Sequence, residues 1–151
     1  MAIEWDNATL EQIFSIMSLV TLVGWAILVF LPRGWWISRV VPALIVPCLV
    51  AAAYTVLLAS GMLAGGMDGD FNSLAGVRAL FSSDRALLAG WLHYLAFDLV
   101  VGTIVARQAD EMGMNRILQV PFLFLTLMFG PAGFLAFQLV RAGSKPFAKQ
   151  G

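Results

Sequence analysis

Four long apolar runs constrain the fold of this chain more than any other feature of its sequence. A helix needs about 20 apolar residues to cross a hydrocarbon core about 30 Å thick, so each run is long enough to span a membrane. The runs lie at residues 12–31, 41–62, 86–106 and 117–140. They predict an all-α polytopic membrane protein, a single transmembrane domain over residues 1–151 with four transmembrane helices in a bundle.

Composition supports the membrane class and excludes several others. The chain is 60% hydrophobic and only 12% charged, whereas about a quarter of the residues of a soluble domain are charged. Nine basic residues balance nine acidic ones, and no basic helical face is visible, so the lipid bilayer is the expected partner and nucleic acid is not. The single cysteine, Cys48, excludes an internal disulfide and a thiolate metal cluster. The sequence therefore predicts no metal and no cofactor.

The N-terminal segment bears on location. It reads MAIEWDNATLEQ and is acidic where a signal peptide needs a positive region, so the first apolar run is expected to stay in the mature protein. No plastid or mitochondrial transit peptide is visible, which predicts a bacterial inner (cytoplasmic) membrane. Basic residues are divided almost evenly between the two sets of loops, so the sequence leaves the orientation open.

Prolines and aromatic residues mark the ends and breaks of the first two runs. Pro32 ends the first run, and Trp35 and Trp36 suit the headgroup layer. Pro42 fits the opening turn of the second helix. Pro47 falls inside that helix and predicts a kink, because proline cannot donate a backbone hydrogen bond.

Three further segments separate or interrupt the later runs. The stretch ASGMLAGGMDGDFNS predicts a loop, and the helical spacing of apolar residues at 71–81 predicts a short interfacial helix before the third span. Ser83 or Asp84 is the expected cap of the third helix. RQADEMGMNR predicts a charged loop, FGPAG predicts a break within the fourth span, and a polar tail follows residue 140.

The third run carries the polar residues with the strongest functional signal. Asp98 lies near its middle, where inserting a carboxylate into the membrane costs about 2.5 to 3.5 kcal/mol of free energy. At about 100° per residue, Asp98 shares a helical face with Trp91, Tyr94 and Gly102, whereas His93 lies about 140° away around the helix. Asp98 and His93 are therefore not a pair on one face.

Two interpretations of these residues stay open. In the first, Asp98 is a catalytic acid and His93 or Tyr94 is its partner in proton transfer. In the second, Asp98 is a buried group of the helix bundle that forms hydrogen bonds with Tyr54, Gln119, Gln138 or a freed backbone carbonyl. His93 is then a neutral imidazole that also forms its hydrogen bonds inside the bundle.

Several apolar and small residues are candidates for substrate contact. Trp91, Phe97 and Gly102 accompany the polar groups of the third run, and Gly130 and Pro131 could expose backbone to a ligand. A kink or close helix packing explains the Gly130 and Pro131 break equally well. Small residues there also permit association with a second copy of the chain or with a partner membrane enzyme.

One stretch of the chain resembles a known family. The segments FNSLAGVRALFSSDRALLAGWLHYLAFDLVVGTIVARQ and FGPAG, with Pro121, Leu125 and Thr126 between them and a closing Arg141, are similar to the abscisic-acid-deficient-four-like family. The likeness covers about residues 71–141, and the chain looks like a bacterial-type member. The plant members of this family are required for neoxanthin synthesis.

The resemblance implies a four-helix membrane protein of carotenoid (xanthophyll) metabolism with a carotenoid ligand. The implied activity is an epoxy-carotenoid isomerase of the violaxanthin-to-neoxanthin type, or a subunit supporting one. Such an isomerisation is redox-neutral and needs only acid and base groups. The alternatives are a noncatalytic carotenoid- or lipid-binding membrane protein and, with less support, a small transporter component.

Overall fold

The structure, a computed structural model, describes residues 5–63 and 69–144, and the regular elements among them are all helices, with no strand. Three continuous helices are long and apolar enough to cross a membrane, so the all-α prediction is confirmed but the count of four spans is not. The elements are α1 (Asn7–Phe30), α2 (Trp36–Val40), a π-helical segment (Val41–Ile45), α3 (Val46–Leu63), α4 (Leu74–Leu80), α5 (Asp84–Glu111), α6 (Arg116–Phe129) and α7 (Pro131–Gly143).

The chain forms two compact units. The first consists of Met1–Val23 and Ile45–Ala96, and the second consists of Gly24–Leu44 and Phe97–Gly151. The three candidate spanning helices are α1, the continuous helix from Trp36 to Leu63, and α5.

Local hydrogen bonds explain where α1 begins. The Thr9 backbone N–H donates to Asp6 Oδ1 at 2.9 Å, so Asp6 caps the helix and α1 begins five residues before the predicted residue 12. Hydrogen bonds from the Thr9 side chain and backbone lower the pKa of Asp6, because they favour the carboxylate form. The helix ends at Phe30, just before Pro32, as predicted.

The second spanning helix begins earlier than predicted. The Ser38 hydroxyl donates to the carbonyl oxygens of Pro32 (2.6 Å) and Trp35 (2.8 Å). This closes the turn after α1, and the helix begins at Trp36. Pro42 therefore lies inside the helix and not in its opening turn, and it falls within the π-helical segment that precedes Pro47. The sequence predicted a kink at Pro47, and the structure has a wider π-helical turn next to the two prolines. Each proline lacks a backbone N–H donor, which favours such an irregular turn.

The elements before α5 follow their capping residues. Ser73 caps α4 by accepting from the Gly76 backbone N–H at 2.9 Å, and Ser83 accepts from the Ala86 backbone N–H at 3.3 Å. The short helix predicted near residues 71–81 is confirmed as α4. The predicted glycine-rich loop falls partly on residues 64–68, and the predicted polar tail falls mostly on residues 145–151. Both of these ranges lie outside the described residues.

The third spanning helix extends further than predicted. It continues through the first half of the expected charged loop to Glu111 and ends at a turn in which Gly113 has a φ of +70°. Gln108 and Asp110 find hydrogen-bond partners in the second unit. The polar end of α5 is thus held in helical form. The Asn115 side chain then accepts from the Ile117 backbone N–H at 2.9 Å and caps α6.

The predicted fourth span, residues 117–140, is a helical hairpin. The rings of Phe122 and Phe137 lie 5.7 Å apart, although a straight helix would separate these residues by about 22 Å. The reversal is at Gly130, whose φ is +29°. Pro131 follows as the first residue of α7. α6 has 14 residues and α7 has 13, so each is shorter than the roughly 20 residues that a full crossing needs.

The hairpin makes a prediction that labelling can check. In a Cys48→Ala background, cysteines introduced as Asn115→Cys and Ser144→Cys are expected to react with a membrane-impermeant maleimide from the same side of a sealed vesicle. A hairpin returns to the side from which it enters, whereas a full crossing separates its two ends. Labelling of the two positions from opposite sides would show that residues 116–143 cross the membrane.

Candidate functional site

The first unit contains an aromatic cavity that includes the only histidine of the chain. The cavity measures about 280 Å³ and is called the His93 pocket here. Its polar side chains are those of Tyr54 from α3 and His93 from α5. The full lining is Tyr54, Leu58, Phe71, Leu80, Phe81, Ala86, Ala89, Gly90 and His93.

Two contacts shape this pocket. The rings of Tyr54 and His93 lie 5.8 Å apart between centroids at an angle of 58°, so the phenol and the imidazole are neighbours on one wall. Gly90 precedes His93 by about one helical turn, and the Phe81 ring lies against its backbone where a Cβ would overlap the ring. The glycine therefore allows an aromatic residue to close the pocket against α5.

Trp91 and Tyr94 belong to a different cluster of the first unit. Their rings are stacked, with centroids 5.4 Å apart, and Trp91 also contacts the Phe14 ring at 5.8 Å. The Trp91 indole N–H donates to Ser18 Oγ at 3.2 Å. Trp91 lines a second cavity of about 370 Å³, together with the acidic residues Glu11 and Asp84. The structure thus brings His93 together with Tyr54, and Trp91 together with Tyr94.

Asp98 belongs to the second unit and lies at the tip of the hairpin. It is only 7% exposed, and its carboxylate fills the space where a Cβ on Gly130 would lie. The contact places a carboxylate beside the first residues of α7. This arrangement is favourable because a helix N-terminus carries partial positive charge. The structure therefore gives Asp98 a neighbour in the hairpin and places His93 in the other unit.

The other residues predicted to contact a substrate differ in how buried they are. Gly102 is buried beneath Trp25, whose ring occupies the space of a Cβ there, so this glycine already has a packing partner. Phe97 is 58% exposed and Pro131 is also exposed. Within the described ranges, no three His, Cys, Asp or Glu side chains converge on a metal site.

A polar network in the second unit was not anticipated from the sequence. Arg33 donates to Asp110 Oδ2 at 3.0 Å and to Gln119 Oε1 at 3.2 Å. Gln119, which is 1% exposed, donates in turn to Asp110 Oδ1 at 2.7 Å and to the Met114 carbonyl at 3.0 Å. The one sequence signal for this network was a glutamine within an apolar run. Its partners are 9 and 86 residues distant, beyond the reach of helical spacing.

This network predicts a stability effect. Arg33→Met keeps an apolar stem but leaves the buried Gln119 Oε1 and Asp110 Oδ2 without the Arg33 donor, although Gln119 still donates to Asp110 Oδ1. We expect it to lower the free energy of unfolding by about 1–3 kcal/mol. Thermal or denaturant unfolding in detergent measures the change. Arg78→Met is the matched control, because Arg78 is exposed and should cost much less. Equal losses in the two variants would contradict a specific role for the network.

Comparison with protein families decides what kind of protein this is. The family model described as ABA DEFICIENT 4-like matches residues 12–137. The chain belongs to the ABA DEFICIENT 4-like family. The match extends the likeness of residues 71–141 to the first two spanning helices, and it includes the His93 pocket and most of the hairpin. Comparisons with curated proteins and with solved structures give no match.

Membership in the ABA DEFICIENT 4-like family suggests a membrane protein related to carotenoids and neoxanthin, and the apolar helices are consistent with a membrane location. The match does not specify a bacterial-type member or a bacterial inner membrane. These two expectations, and association with a second copy or a partner enzyme, stay predictions.

Proposed function

We propose that this chain modifies a carotenoid within the membrane, as an epoxy-carotenoid isomerase of the violaxanthin-to-neoxanthin type, and that the His93 pocket binds the reacting end ring. The observation that carries the proposal is the neighbouring pair of Tyr54 and His93 in an aromatic lining, since ligand pockets are mostly apolar with a few placed polar groups.

The volume of the His93 pocket is suitable for one end group of a carotenoid. At about 280 Å³, it lies just below the range of about 300–1,000 Å³ that is usual for small-molecule sites. One cyclic end group fits that space, but the long polyene does not. The polyene would extend from the pocket into lipid, alongside apolar side chains such as Phe71, which is 83% exposed.

The two polar groups suffice for the chemistry. The Tyr54 hydroxyl donates its proton to the epoxide oxygen as the carbon–oxygen bond breaks. His93 accepts the proton lost from the adjacent polyene carbon, and the electrons of that carbon–hydrogen bond complete the allene. Proton transfer from the imidazolium to the tyrosinate restores both residues. Nothing is oxidised or reduced, and the product keeps every atom of the substrate.

Asp98 is the alternative acid. A carboxylic acid in an apolar helix protonates an epoxide oxygen as effectively as a phenol, and membrane-embedded acids are often functional. Its contact with Gly130 favours a role in holding the hairpin instead. Asp98→Asn separates the two roles, because the amide preserves the shape of the side chain but cannot supply an acidic proton in the same way. Full turnover by a folded Asp98→Asn protein would exclude the acid role.

Two measurements on the whole protein test the proposal. Protein purified with its native lipids is expected to show the structured visible absorption band of a bound carotenoid. Incubation with violaxanthin, followed by chromatography, is expected to yield neoxanthin. Gly90→Leu fills the pocket and should abolish both results, whereas Gly143→Ala, which has open space around it, should change neither. Pigment binding without conversion of any epoxy-carotenoid would favour a noncatalytic carotenoid-binding protein. Absence of both would reject the proposal.

A further inference from the structure

The second unit contains a cavity that the proposed carotenoid chemistry does not use. It measures about 350 Å³ and is called the arginine pocket here. The side chains that give it its character are Arg33, Arg39, Arg107, Asp110, Ser38 and Thr103. Three guanidinium groups therefore accompany one carboxylate, and the lining has an excess of positive charge.

Two of the three guanidinium groups have only weak partners. Arg33 is held by Asp110 and Gln119. Arg39 reaches the Gly34 carbonyl at 3.4 Å, which is a long hydrogen bond. Arg107 lies 3.9 Å from Glu111, and both side chains are mostly exposed, so this ion pair contributes little. Arg39 and Arg107 thus retain donors for an added anion.

Arg33 also shows that positive charge is crowded here. Its Nε is buried and has no hydrogen-bond partner among the described residues. Burial lowers the pKa of Arg33, the Asp110 carboxylate raises it, and the nearby Arg116 charge lowers it further. An anionic oxygen in the pocket would offset this crowding and would give Nε an acceptor.

The rest of the lining distinguishes a lipid from a free anion. Leu28, Ala43 and Ile104 form an apolar wall beside the arginines. Trp35 and Trp36, which are 57% and 63% exposed, lie in the segment from Arg33 to Arg39 and suit the headgroup layer. A site with charge at the headgroup level and an apolar wall beside it matches a phospholipid, whose phosphate adjoins acyl chains. Basic pockets at this depth are typical binding sites for lipid headgroups.

We propose that the arginine pocket binds the headgroup of an anionic phospholipid. Arg39 and Arg107 contact its phosphate oxygens, and an acyl chain lies along Leu28, Ala43 and Ile104. The choline group of a zwitterionic lipid would add a further positive charge to a pocket that already has three guanidinium groups, so anionic lipids bind more tightly.

Lipid titration of the full chain in uncharged detergent tests this site. Dihexanoyl phosphatidylglycerol is expected to raise the melting temperature at lower concentration than dihexanoyl phosphatidylcholine, and inorganic phosphate at the same concentration should have a smaller effect. Arg39→Gln with Arg107→Gln should weaken the apparent affinity for phosphatidylglycerol at least about tenfold, because two charge-assisted contacts are lost. Ala43→Trp fills the pocket without altering charge and should weaken binding similarly.

The matched control is Arg78→Gln with Arg141→Gln, which removes the same charge from exposed positions outside the pocket and should leave the affinity unchanged. Equal loss in this control would show attraction to general surface charge and would overturn the site. Equal affinity for phosphatidylcholine would also overturn it. So would an increase in melting temperature with inorganic phosphate as large as that with phosphatidylglycerol. If the Arg39 and Arg107 double variant does not fold, wild-type affinity in Ala43→Trp is sufficient to reject the proposal.

Discussion

Gly130→Ala is expected to lower the free energy of unfolding by about 2–6 kcal/mol. Two costs combine. A residue with a side chain is strained at a φ of +29°, which costs about 1–3 kcal/mol. The new Cβ also overlaps the Asp98 carboxylate, and overpacking costs about 1–3 kcal/mol. Because proteins are stable by only about 5–15 kcal/mol, much of the variant should unfold or aggregate on extraction.

Two comparisons isolate the cause of this loss. Gly143→Ala lies near the end of α7 with no neighbouring atom within 4 Å of its Cβ, so it is expected to be close to neutral. Asp98→Ala, combined with Gly130→Ala, removes the overlap but not the backbone strain, and it should recover part of the loss. Denaturant titration in detergent measures all three variants. A neutral Gly130→Ala, or a Gly143→Ala that is equally damaging, would contradict the reversal of the chain at Gly130.

His93→Leu is expected to lower kcat for conversion of violaxanthin at least about 100-fold, since a positioned proton-transfer group contributes about 10²–10⁴ in rate. Leucine fills the place of the imidazole with an apolar side chain. The spectrum of the bound carotenoid and KM should therefore change little. Tyr54→Phe should lower kcat by a comparable factor, because it removes the hydroxyl that protonates the epoxide and leaves the ring beside His93.

The second tyrosine of the chain provides the matched control. Tyr94 stacks on Trp91 and is not part of the His93 pocket. Tyr94→Phe keeps that stacking and is expected to retain near-normal turnover. Chromatographic rates and melting temperatures are measured for all three variants. Equal loss of kcat in Tyr54→Phe and Tyr94→Phe, or full turnover by His93→Leu, would reject the assignment of acid and base.

The sequence anticipated the elements better than their arrangement. The lengths of the apolar runs predicted four spans, of which three are continuous helices long enough to cross a membrane. Of the two caps predicted for α5, Ser83 or Asp84, Ser83 accepts the capping hydrogen bond. These features depend on residues within one or two helical turns, which periodicity and capping rules describe. The π-helical segment before Pro47 was not predicted. The continuation of α5 to Glu111 was not predicted either, because the partners of Gln108 and Asp110 lie far away in the sequence.

For the candidate site too, the sequence indicated individual residues but not their arrangement. Sequence reasoning singled out His93 as a polar group in an apolar helix and named His93 or Tyr94 as the proton-transfer partner of Asp98. The structure places the Tyr54 ring beside His93, and these two residues are 39 positions apart in the chain. Helical spacing specifies neighbours on one helix and contains no information on which second helix packs against it.

The sequence by itself determined the class of this protein, because apolar length and the scarcity of charge leave a helical membrane protein as the solution that satisfies every backbone group in lipid. Only the tertiary structure decided that residues 116–143 reverse at Gly130, since the contact between Phe122 and Phe137 requires antiparallel packing. It also decided that Arg33, Asp110 and Gln119 share one network. Both outcomes depend on packing between distant segments, which the local pattern of residues does not encode.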